Sequence, residues 1–216
     1  MAGKKQFDMD AALDAAMVQF WRSGYADTSL DALSRATGLN RSSIYSSLGD
    51  KDALFLRCLD RYAARYGEKY DDALSCATSD PVAAVRAFFD VTLERIVHPE
   101  VPDGCLITQS TMAIPALNPG VAAHTTKTLD LQHRRLHAAL KAGQLPEQHA
   151  ESFAVHVMAV NQSLAVMSRA GASPAQLRSI VGVTLDALSQ AVGTLKDPPN
   201  RLPKKRAPRN CECLGR

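Results

Sequence analysis

The sequence contains no run of apolar residues near the ~20 that a membrane-spanning helix needs, and MAGKKQFDMD at its start lacks the apolar centre of a secretion signal. It also has no sustained alternation of apolar and polar residues, the pattern of a half-buried strand. Five cysteines are an odd number in a chain without that signal, which favours free thiols over a disulfide framework. We therefore expect an all-α cytoplasmic protein without a membrane segment, a cofactor or a metal ion.

A run from residue 28 to residue 54 predicts two short helices joined by a glycine turn and followed at once by a third helix start. Thr28 or Ser29 can cap the first helix through a side-chain oxygen. Gly38 can take the left-handed conformation that ends this helix, and Asn40 can cap the next one. The layout is that of a helix-turn-helix, a motif whose second helix enters the major groove of DNA.

The second helix of this motif has an inward and an outward face. Ile44 and Leu48 are four residues apart and point to the same side. The outward side carries small hydroxylated residues with one arginine and one tyrosine: Arg41, Ser42, Ser43, Tyr45, Ser46 and Ser47. Lys51 follows near the start of the next helix, where its charge and the free backbone amides can hold a phosphate. An upstream apolar stripe, which ends at Ser23-Gly24, completes a predicted three-helix head: Leu13, Ala16, Met17, Phe20 and Trp21.

The order and spacing of several residues in this head match a known signature. The matching residues are Phe20, Gly24-Tyr25, Thr28-Ser29, Gly38-Leu39, Ile44-Tyr45 and Lys51 with Leu54. Together they resemble the N-terminal signature of the tetracycline-repressor (TetR) family of one-component bacterial regulators. Two positions depart from the family pattern, because Ser42 stands where glycine is common and Leu48 where the family generally has phenylalanine.

The resemblance implies which residues of the head contact DNA. The expected phosphate contacts are Thr28, Tyr45 and Lys51, and Ser29 belongs to the same DNA-binding set. The expected groove-facing residues are Arg41, Ser42, Ser43 and Ser46. Arg41 is the best candidate for a guanine edge, since arginine can bind guanine in a bidentate manner. Net charge does not identify the head as DNA-binding, because residues 1–51 hold six Lys/Arg and six Asp. The prediction of DNA binding therefore depends on where the individual positive charges lie.

After the head, the pattern is helical to about Leu195, with breaks at prolines and glycines. Helices are predicted over 51–75, 81–97, 106–112 and 121–142, and two more open at Pro146 and Pro174. Both of these last helices are apolar on more than one face; in the final one, Val181 belongs to one stripe and Val183 to another. The second face implies a partner, and the resemblance implies a homodimer joined through a four-helix bundle. Burial of both faces inside a monomer is the alternative.

These patterns divide the chain into three parts. Residues 1–52 are predicted to form the helix-turn-helix DNA-binding domain, and residues 53–197 a helical effector-binding and dimerisation domain. Residues 198–216 form a basic tail, rich in proline, that we expect to be disordered. The segment 201–216 carries a net charge of +5 in a chain of +3, so the rest of the chain sums to −2. Within the tail, Cys211-Glu212-Cys213 resembles a thiol clamp, to which we assign no function.

Fewer residues indicate what the body senses. Cys105 lies in PDGCLITQS at the start of a predicted helix, where free amides can stabilise a thiolate, although Asp103 opposes this effect. The tripeptide Gly-Cys-Leu at this point resembles some TetR-type repressors that respond to electrophiles or oxidants; a buried inert cysteine is the alternative. Other candidates for an effector pocket, which could equally be packed core, are Gln109, Met112, Met158, Asn161 and Gln162. His133 and His137 are four apart, but no acidic residue or cysteine stands at a spacing that completes a metal site, so a surface or pocket pair is expected.

The function favoured by these features is a ligand- or redox-responsive transcriptional repressor that binds a pseudo-palindromic operator as a dimer. Its expected partners are double-stranded operator DNA, a second copy of the chain and a small-molecule or electrophile effector. A thiol-dependent enzyme using Cys105 is one alternative, but the sequence has no phosphate loop, nucleophile elbow or zinc-protease motif to support it. An architectural DNA binder without an effector is the other.

Overall fold

The computed structural model describes residues 8–76 and 79–196, and these residues form helices without any strand. The predicted all-α fold is confirmed. The helices are α1 (Met9–Asp27), α2 (Leu30–Thr37), α3 (Arg41–Leu48), α4 (Lys51–Ser75), α5 (Pro81–Val97), α6 (Leu106–Met112), a 3-10 turn (Ile114–Ala116), α7 (Pro119–Ala142), α8 (Glu147–Arg169) and α9 (Pro174–Lys196). None of these helices is long and apolar enough to cross a membrane. The predicted tail, with Cys211 and Cys213, lies outside the described residues.

The turn between α2 and α3 forms as its residues predict. The Ser29 hydroxyl accepts a hydrogen bond from the Ala32 amide at 3.1 Å, so Ser29 is the cap of α2. Gly38 ends α2 with a φ of 70°, a left-handed conformation that favours glycine. Asn40 then caps α3, its side-chain oxygen accepting from the Ser43 amide at 2.8 Å. The helix-turn-helix is therefore fixed by local hydrogen bonds as well as by its core.

α1 differs from its predicted end at Ser23-Gly24. The helix continues to Asp27, but it is broken at Gly24, whose φ of 81° and ψ of 168° are not helical. A Cβ atom at Gly24 would lie 2.9 Å from Nε2 of Gln109, a residue of α6 in the body. The glycine is therefore required both by the backbone conformation and by the close approach of head and body.

α4 joins the head to the body and has the bounds predicted for it. Asp50 caps it, accepting from the Ala53 amide at 2.8 Å. Near the head, the Arg61 guanidinium binds the carboxylates of Asp14 and Asp10 on α1, each at 2.8 Å. Further along, α4 packs against α5 and α7, and its buried face places a row of tyrosines in the body: Tyr62, Tyr66 and Tyr70.

α7 begins at Pro119, two residues before its predicted start, because Asn118 caps it by accepting from the Val121 amide at 2.9 Å. α8 and α9 then pack against each other and against α5. Their inner stripes are buried, as for Val157 and Leu188. Their outer faces expose large apolar side chains in this single chain: Val155, Val166 and Met167 on α8, and Val183 on α9. The two apolar faces predicted for these helices are thus present.

Candidate DNA interface and effector site

The outer face of α3 is small, polar and accessible. Ile44 and Leu48 are buried in the head, which directs the opposite side of the helix to solvent. Tyr45 is 52% exposed, although it is aromatic, and Ser42 and Ser46 are exposed beside it. Ser43 is half-buried, since its amide takes part in the cap. Such a face, on a helix of eight residues that begins at the turn, has the shape of a recognition helix.

Arg41, the predicted guanine reader, is exposed at the first position of α3 but is engaged with Asp31 of α2. Its Nε and Nη2 atoms donate to the two carboxylate oxygens at 2.8 and 2.7 Å. The hydrogen bond from Arg41 lowers the pKa of the Asp31 carboxyl. Exposed ion pairs of this kind are weak and are screened by salt, so this one can open when a base edge is offered. Binding of a base edge by Arg41, which stays a prediction, would require this pair to open.

Lys51 lies at the first position of α4, beside the end of α1. Its ammonium is 4.4 Å from the centre of the Tyr25 ring and 3.4 Å from the Ala26 carbonyl oxygen. Partial burial lowers the pKa of Lys51, and the neighbouring Asp52 and Asp27 oppose this shift. The group is thus a cation held in place at a helix N-terminus, which suits a phosphate contact. Ser29 is exposed, but its hydroxyl is occupied by the cap of α2.

Thr28 is placed differently from its prediction as a phosphate contact. The residue is 0% exposed, and its hydroxyl donates to the Gly24 carbonyl at 2.6 Å. Its amide donates to the Tyr25 carbonyl, so both groups stabilise the end of α1. Thr28 is thus buried at the corner between α1 and α2, and its contact with a phosphate stays a prediction, like those of Ser29 and Lys51.

The environment of Cys105 is polar on one side and aromatic on the other. The Tyr62 hydroxyl donates a hydrogen bond to the Cys105 sulfur at 3.2 Å. Arg95 of α5 donates to the carbonyl of the preceding residue, Gly104, and lies over the rings of Trp21 and Tyr66 at 5.8 and 5.7 Å from their centres. Arg95 is only 5% exposed. A buried guanidinium therefore stands next to the predicted sensing cysteine.

These neighbours set Cys105 apart from the other buried cysteine. Burial alone raises the pKa of the Cys105 thiol, but the charge of Arg95 and hydrogen bonds from Tyr62 and Thr108 outweigh burial, so that the net pKa shift is downward. Burial raises the pKa of the Cys58 thiol to about 12, since the nearby arginines do not compensate for it. Cys58 points at the Leu13 carbonyl inside the α1–α4 packing. Of these two cysteines, Cys105 is thus the one whose thiol has a cation and hydrogen-bond donors that favour the thiolate.

Two small cavities adjoin Cys105. The first has a volume of about 20 Å³, enough for one water-sized group. Its lining includes the three tyrosines of α4 and the side chains of Ile107, Gln132 and Arg135. The second, of about 10 Å³, lies between α6 and α8 and is lined in part by Gln109, Met112 and Arg169. Neither has room for a drug-sized ligand in this conformation.

The remaining predicted pocket residues take several places. Gln109 and Met112 lie beside Cys105, though Met112 is largely exposed. Gln162 accepts a hydrogen bond from Thr108, and Asn161 accepts one from Thr92, whose hydroxyl also bonds with Tyr70 of the first cavity. Met158 is buried core and lines neither cavity. The prediction of a pocket formed by all of these residues is therefore only partly met.

His133 lies away from both cavities, on the outer side of the α7–α8 pair. Its Nε2 atom is 3.5 Å from a carboxylate oxygen of Glu151, and His137 is 3.0 Å from one of Glu147. The sequence showed no acidic partners for these histidines, but α8 supplies them by packing antiparallel to α7. In the described ranges, no three such side chains are arranged to hold a metal ion. The two histidines therefore lie beside carboxylates of α8, and their Nε2 atoms are buried.

Arg169, which the sequence did not single out, connects the Cys105 region to the head. Its guanidinium donates to the carbonyls of Trp21 and Arg22 at 3.2 and 2.8 Å, and to Gln109 at 3.0 Å. The preceding residue, Ser168, accepts a hydrogen bond from the Gly104 amide at 3.4 Å. The loop before Cys105, the end of α8 and the end of α1 are therefore in direct contact.

A second connection between head and body passes through Asp52 of α4. Its carboxylate accepts hydrogen bonds from the Tyr25 hydroxyl in the head and from the Asn118 amide at the start of α7. Burial, followed by the bond to Asp52, raises the pKa of Tyr25 to about 12, so its hydroxyl stays a donor at neutral pH. Asp52 therefore links the start of α7 to the end of α1 through two hydrogen bonds.

Comparison with known proteins agrees with this architecture. A family model described as bacterial regulatory proteins, tetR family, matches residues 12–58. The HTH-type transcriptional repressor ComR of Escherichia coli is 33% identical over 188 residues, covering 84% of this chain and 89% of ComR. An uncharacterised HTH-type transcriptional regulator of Bacillus subtilis, YezE, is 27% identical, covering 87% of this chain and all of YezE.

Solved structures share the fold. A cysteine mutant of the TetR family transcriptional regulator CifR, complexed with 26-bp double-strand operator DNA, superposes with a TM-score of 0.73 at 27% identity, covering 84% of this chain and 96% of CifR. The family signature in the head, the helical body and the full-length similarity to ComR agree. The chain belongs to the TetR family of bacterial regulatory proteins.

Proposed function

We propose that this protein is a transcriptional repressor that binds a pseudo-palindromic operator as a homodimer and is released by an effector acting near Cys105. The observation that carries the proposal is the exposed face of α3, with Arg41, Tyr45 and the serines, on a helix whose opposite side is buried through Ile44 and Leu48. ComR, which is named a repressor, matches this chain over most of its length. CifR, at 27% identity, was solved on operator DNA.

The dimer is assigned to the outer faces of α8 and α9. Val155, Val166, Met167 and Val183 are exposed there, and a group of large apolar side chains on one surface marks an interaction site. A second copy is the simplest occupant, since a two-fold axis lets the same surface serve both protomers. Such a dimer can present its two α3 helices about 34 to 36 Å apart, the spacing of successive major-groove turns.

The division of labour follows from the same reasoning. Residues 1–52 are proposed to bind DNA, and residues 53–197 to dimerise and to receive the effector. For residues 198–216, a role as a basic appendage remains a prediction from the sequence. This function places the protein in the cytoplasm, where bacterial DNA lies.

A thiol-dependent enzyme fits the site less well. Such an enzyme needs a base beside Cys105, and the groups that hydrogen-bond to its sulfur among the described residues are Thr108, which has no basic group, and the Tyr62 hydroxyl. Burial raises the pKa of Tyr62 well above its usual range, so that group is a donor and not a base. Regulation through the cysteine is therefore the better account.

The role of Arg41 in recognising the base sequence of the operator can be tested by substitution. We expect Arg41→Ala to reduce the preference for the operator over random DNA by roughly 10- to 100-fold, because a bidentate contact to a guanine edge is lost. The measurement is the ratio of the two dissociation constants at fixed salt. Arg35→Ala, at an exposed arginine in the last turn of α2, is the matched control and should weaken both DNAs alike. If Arg41→Ala also weakened both equally, the assignment of Arg41 as the reader would be wrong.

Transmission to the head is tested at Arg169. Effectors of this kind change affinity by about 5- to 150-fold. We expect oxidation of Cys105 to weaken operator binding within this range in the wild type, and by less than half as much on a logarithmic scale in Arg169→Gln, because the bonds to Trp21 and Arg22 are lost. Arg178→Gln, at an exposed arginine of α9, serves as the control. A full response in the Arg169 variant would exclude this route.

A further inference from the structure

Arg95 is a buried cation without an acidic partner. It is 5% exposed, and in the described part of the chain it forms no ion pair with an aspartate or glutamate. Its one hydrogen bond is to the Gly104 carbonyl, and its remaining neighbours include the faces of Trp21 and Tyr66. Leaving a charge in this state is costly unless an anion compensates for it. The residue bonded to Gly104, Cys105, is the group there that can become one.

The arrangement is suited to holding a negative sulfur. The guanidinium donates to the carbonyl of Gly104, the residue before Cys105, and the Tyr62 hydroxyl donates to the sulfur itself. A hydrogen bond to the sulfur and a positive charge near it both favour the ionised form of the thiol. Cys105 itself is the N-cap residue of α6, with extended backbone angles, and its side chain packs against the core.

We infer that Arg95 is the counter-ion of a Cys105 thiolate, and that small hydroperoxides are the reagents that modify it. This inference deepens the proposed function, on which it rests for its regulatory meaning. Arg95 acts as a positioning residue, because it stabilises the thiolate and the developing charge on the departing oxygen.

The reagent class follows from the cavity and the donors. In the reaction, the thiolate attacks one peroxide oxygen, an S–O bond forms and the O–O bond breaks. The sulfur loses two electrons and becomes a sulfenic acid, while the hydroperoxide is reduced to an alkoxide or hydroxide that takes a proton from water. The product adds one oxygen atom, and the adjoining cavity of about 20 Å³ accommodates one water-sized group. Arg95 and Tyr62 are the donors beside the departing oxyanion.

Several other ionisable groups lie around Cys105, and most of them are bound to other partners or are neutral. They are Tyr62, Tyr66 and Tyr70 of α4, Arg135 of α7, Arg169 of α8 and Asp103 of its own loop. Arg135 is paired with Asp71 at 2.9 Å, and Arg169 is bonded to carbonyls of α1. Burial raises the pKa of each of the three tyrosines, so these hydroxyls stay neutral. Arg95 is thus the cation whose removal should move the titration of Cys105 most.

The test compares Arg95→Met and Arg95→Lys with the wild-type chain. Alkylation by iodoacetamide is followed for each cysteine peptide by mass spectrometry across about pH 5 to 10. Sulfenic acid formed by hydrogen peroxide is trapped with dimedone.

We expect Arg95→Met to shift the alkylation midpoint of Cys105 upward and to slow both reactions at neutral pH by at least about tenfold, the change that one pKa unit produces. Arg95→Lys keeps a charge and should retain most of the reactivity. Cys58 should stay unlabelled in every native sample.

Unchanged rates and an unchanged midpoint in Arg95→Met would overturn the inference. If that variant does not fold, the wild type alone decides: Cys105 must react with hydrogen peroxide at least about tenfold faster than the exposed Cys76 at neutral pH, and an equal or slower rate overturns it. Operator binding by the reduced protein is measured separately. A chain that fails to bind DNA but shows this chemistry contradicts the proposed function alone, and a DNA-binding chain with an inert Cys105 contradicts this inference alone.

Discussion

Replacing Val183 with aspartate is expected to convert the protein into a monomer and to lower its operator affinity by about 10²- to 10⁴-fold, the advantage that two linked binding modules have over one. Val183 is 68% exposed on α9, so the change barely affects the isolated protomer. In a dimer formed through the outer faces of α8 and α9, the same aspartate is buried without a cation, and the two-fold axis repeats it in the partner. Light scattering should give a mass near 23.3 kDa instead of twice that value.

Val97→Asp is the matched control for this experiment. Val97 is 50% exposed at the end of α5, outside the two helices assigned to the interface. It introduces the same charge at a similar exposure, so a general effect of charge on solubility or DNA binding would appear in both variants. We expect this control to remain a dimer with nearly unchanged affinity. A dimeric Val183→Asp with wild-type affinity would show that the chains associate elsewhere.

The architecture of the head could be predicted because its signals are local. Ser29, Asn40 and Asp50 cap helices through atoms three residues away, so the sequence alone contains both partners of each bond. Gly38 is likewise a local signal, because glycine is the residue type that favours the left-handed conformation found there. The end of α1 was harder, because the chain resumes helical hydrogen bonds after Gly24 while leaving space for Gln109 of the distant α6. That contact depends on how head and body pack, which no local pattern encodes.

The candidate sites also contain some residues that local spacing predicts and others that depend on tertiary packing. The exposed face of α3 follows from the four-residue spacing of Ile44 and Leu48, so its members were identifiable. Thr28 matched the family signature, yet the α1–α2 corner buries it and uses its hydroxyl internally. The burial of Arg95 could have been predicted from the sequence, because it stands at helical spacing from Phe88 and Thr92, which are buried on the inner face of α5. Its neighbours come from three distant segments, so its relation to Cys105 emerges only in the folded chain.

The largest loss of stability is expected for Trp21→Ala. Trp21 is 1% exposed and packs edge-to-face against Tyr62, with ring centres 5.0 Å apart. Arg95 covers its ring in turn. Removing a buried aromatic ring leaves a cavity and typically lowers the free energy of unfolding by about 3 to 5 kcal/mol. Since whole proteins are stable by only about 5 to 15 kcal/mol, this is a large fraction of the total. Urea unfolding followed by circular dichroism measures it, at one protein concentration because association contributes to stability.

Two further variants separate packing at Trp21 from other causes. Within residues 8–76 and 79–196, the buried indole nitrogen of Trp21 has no hydrogen-bond partner, so Trp21→Phe removes no bond there and should lower stability much less than the alanine variant. Tyr45→Ala removes an aromatic ring that is 52% exposed and should change the unfolding free energy by no more than about 0.5 kcal/mol. Equal losses for Trp21→Ala and Tyr45→Ala would mean that the ring between head and body does not stabilise their junction. Because Trp21 also accepts a bond from Arg169 and lies under Arg95, the junction that stabilises the fold is the one through which a change at Cys105 must pass.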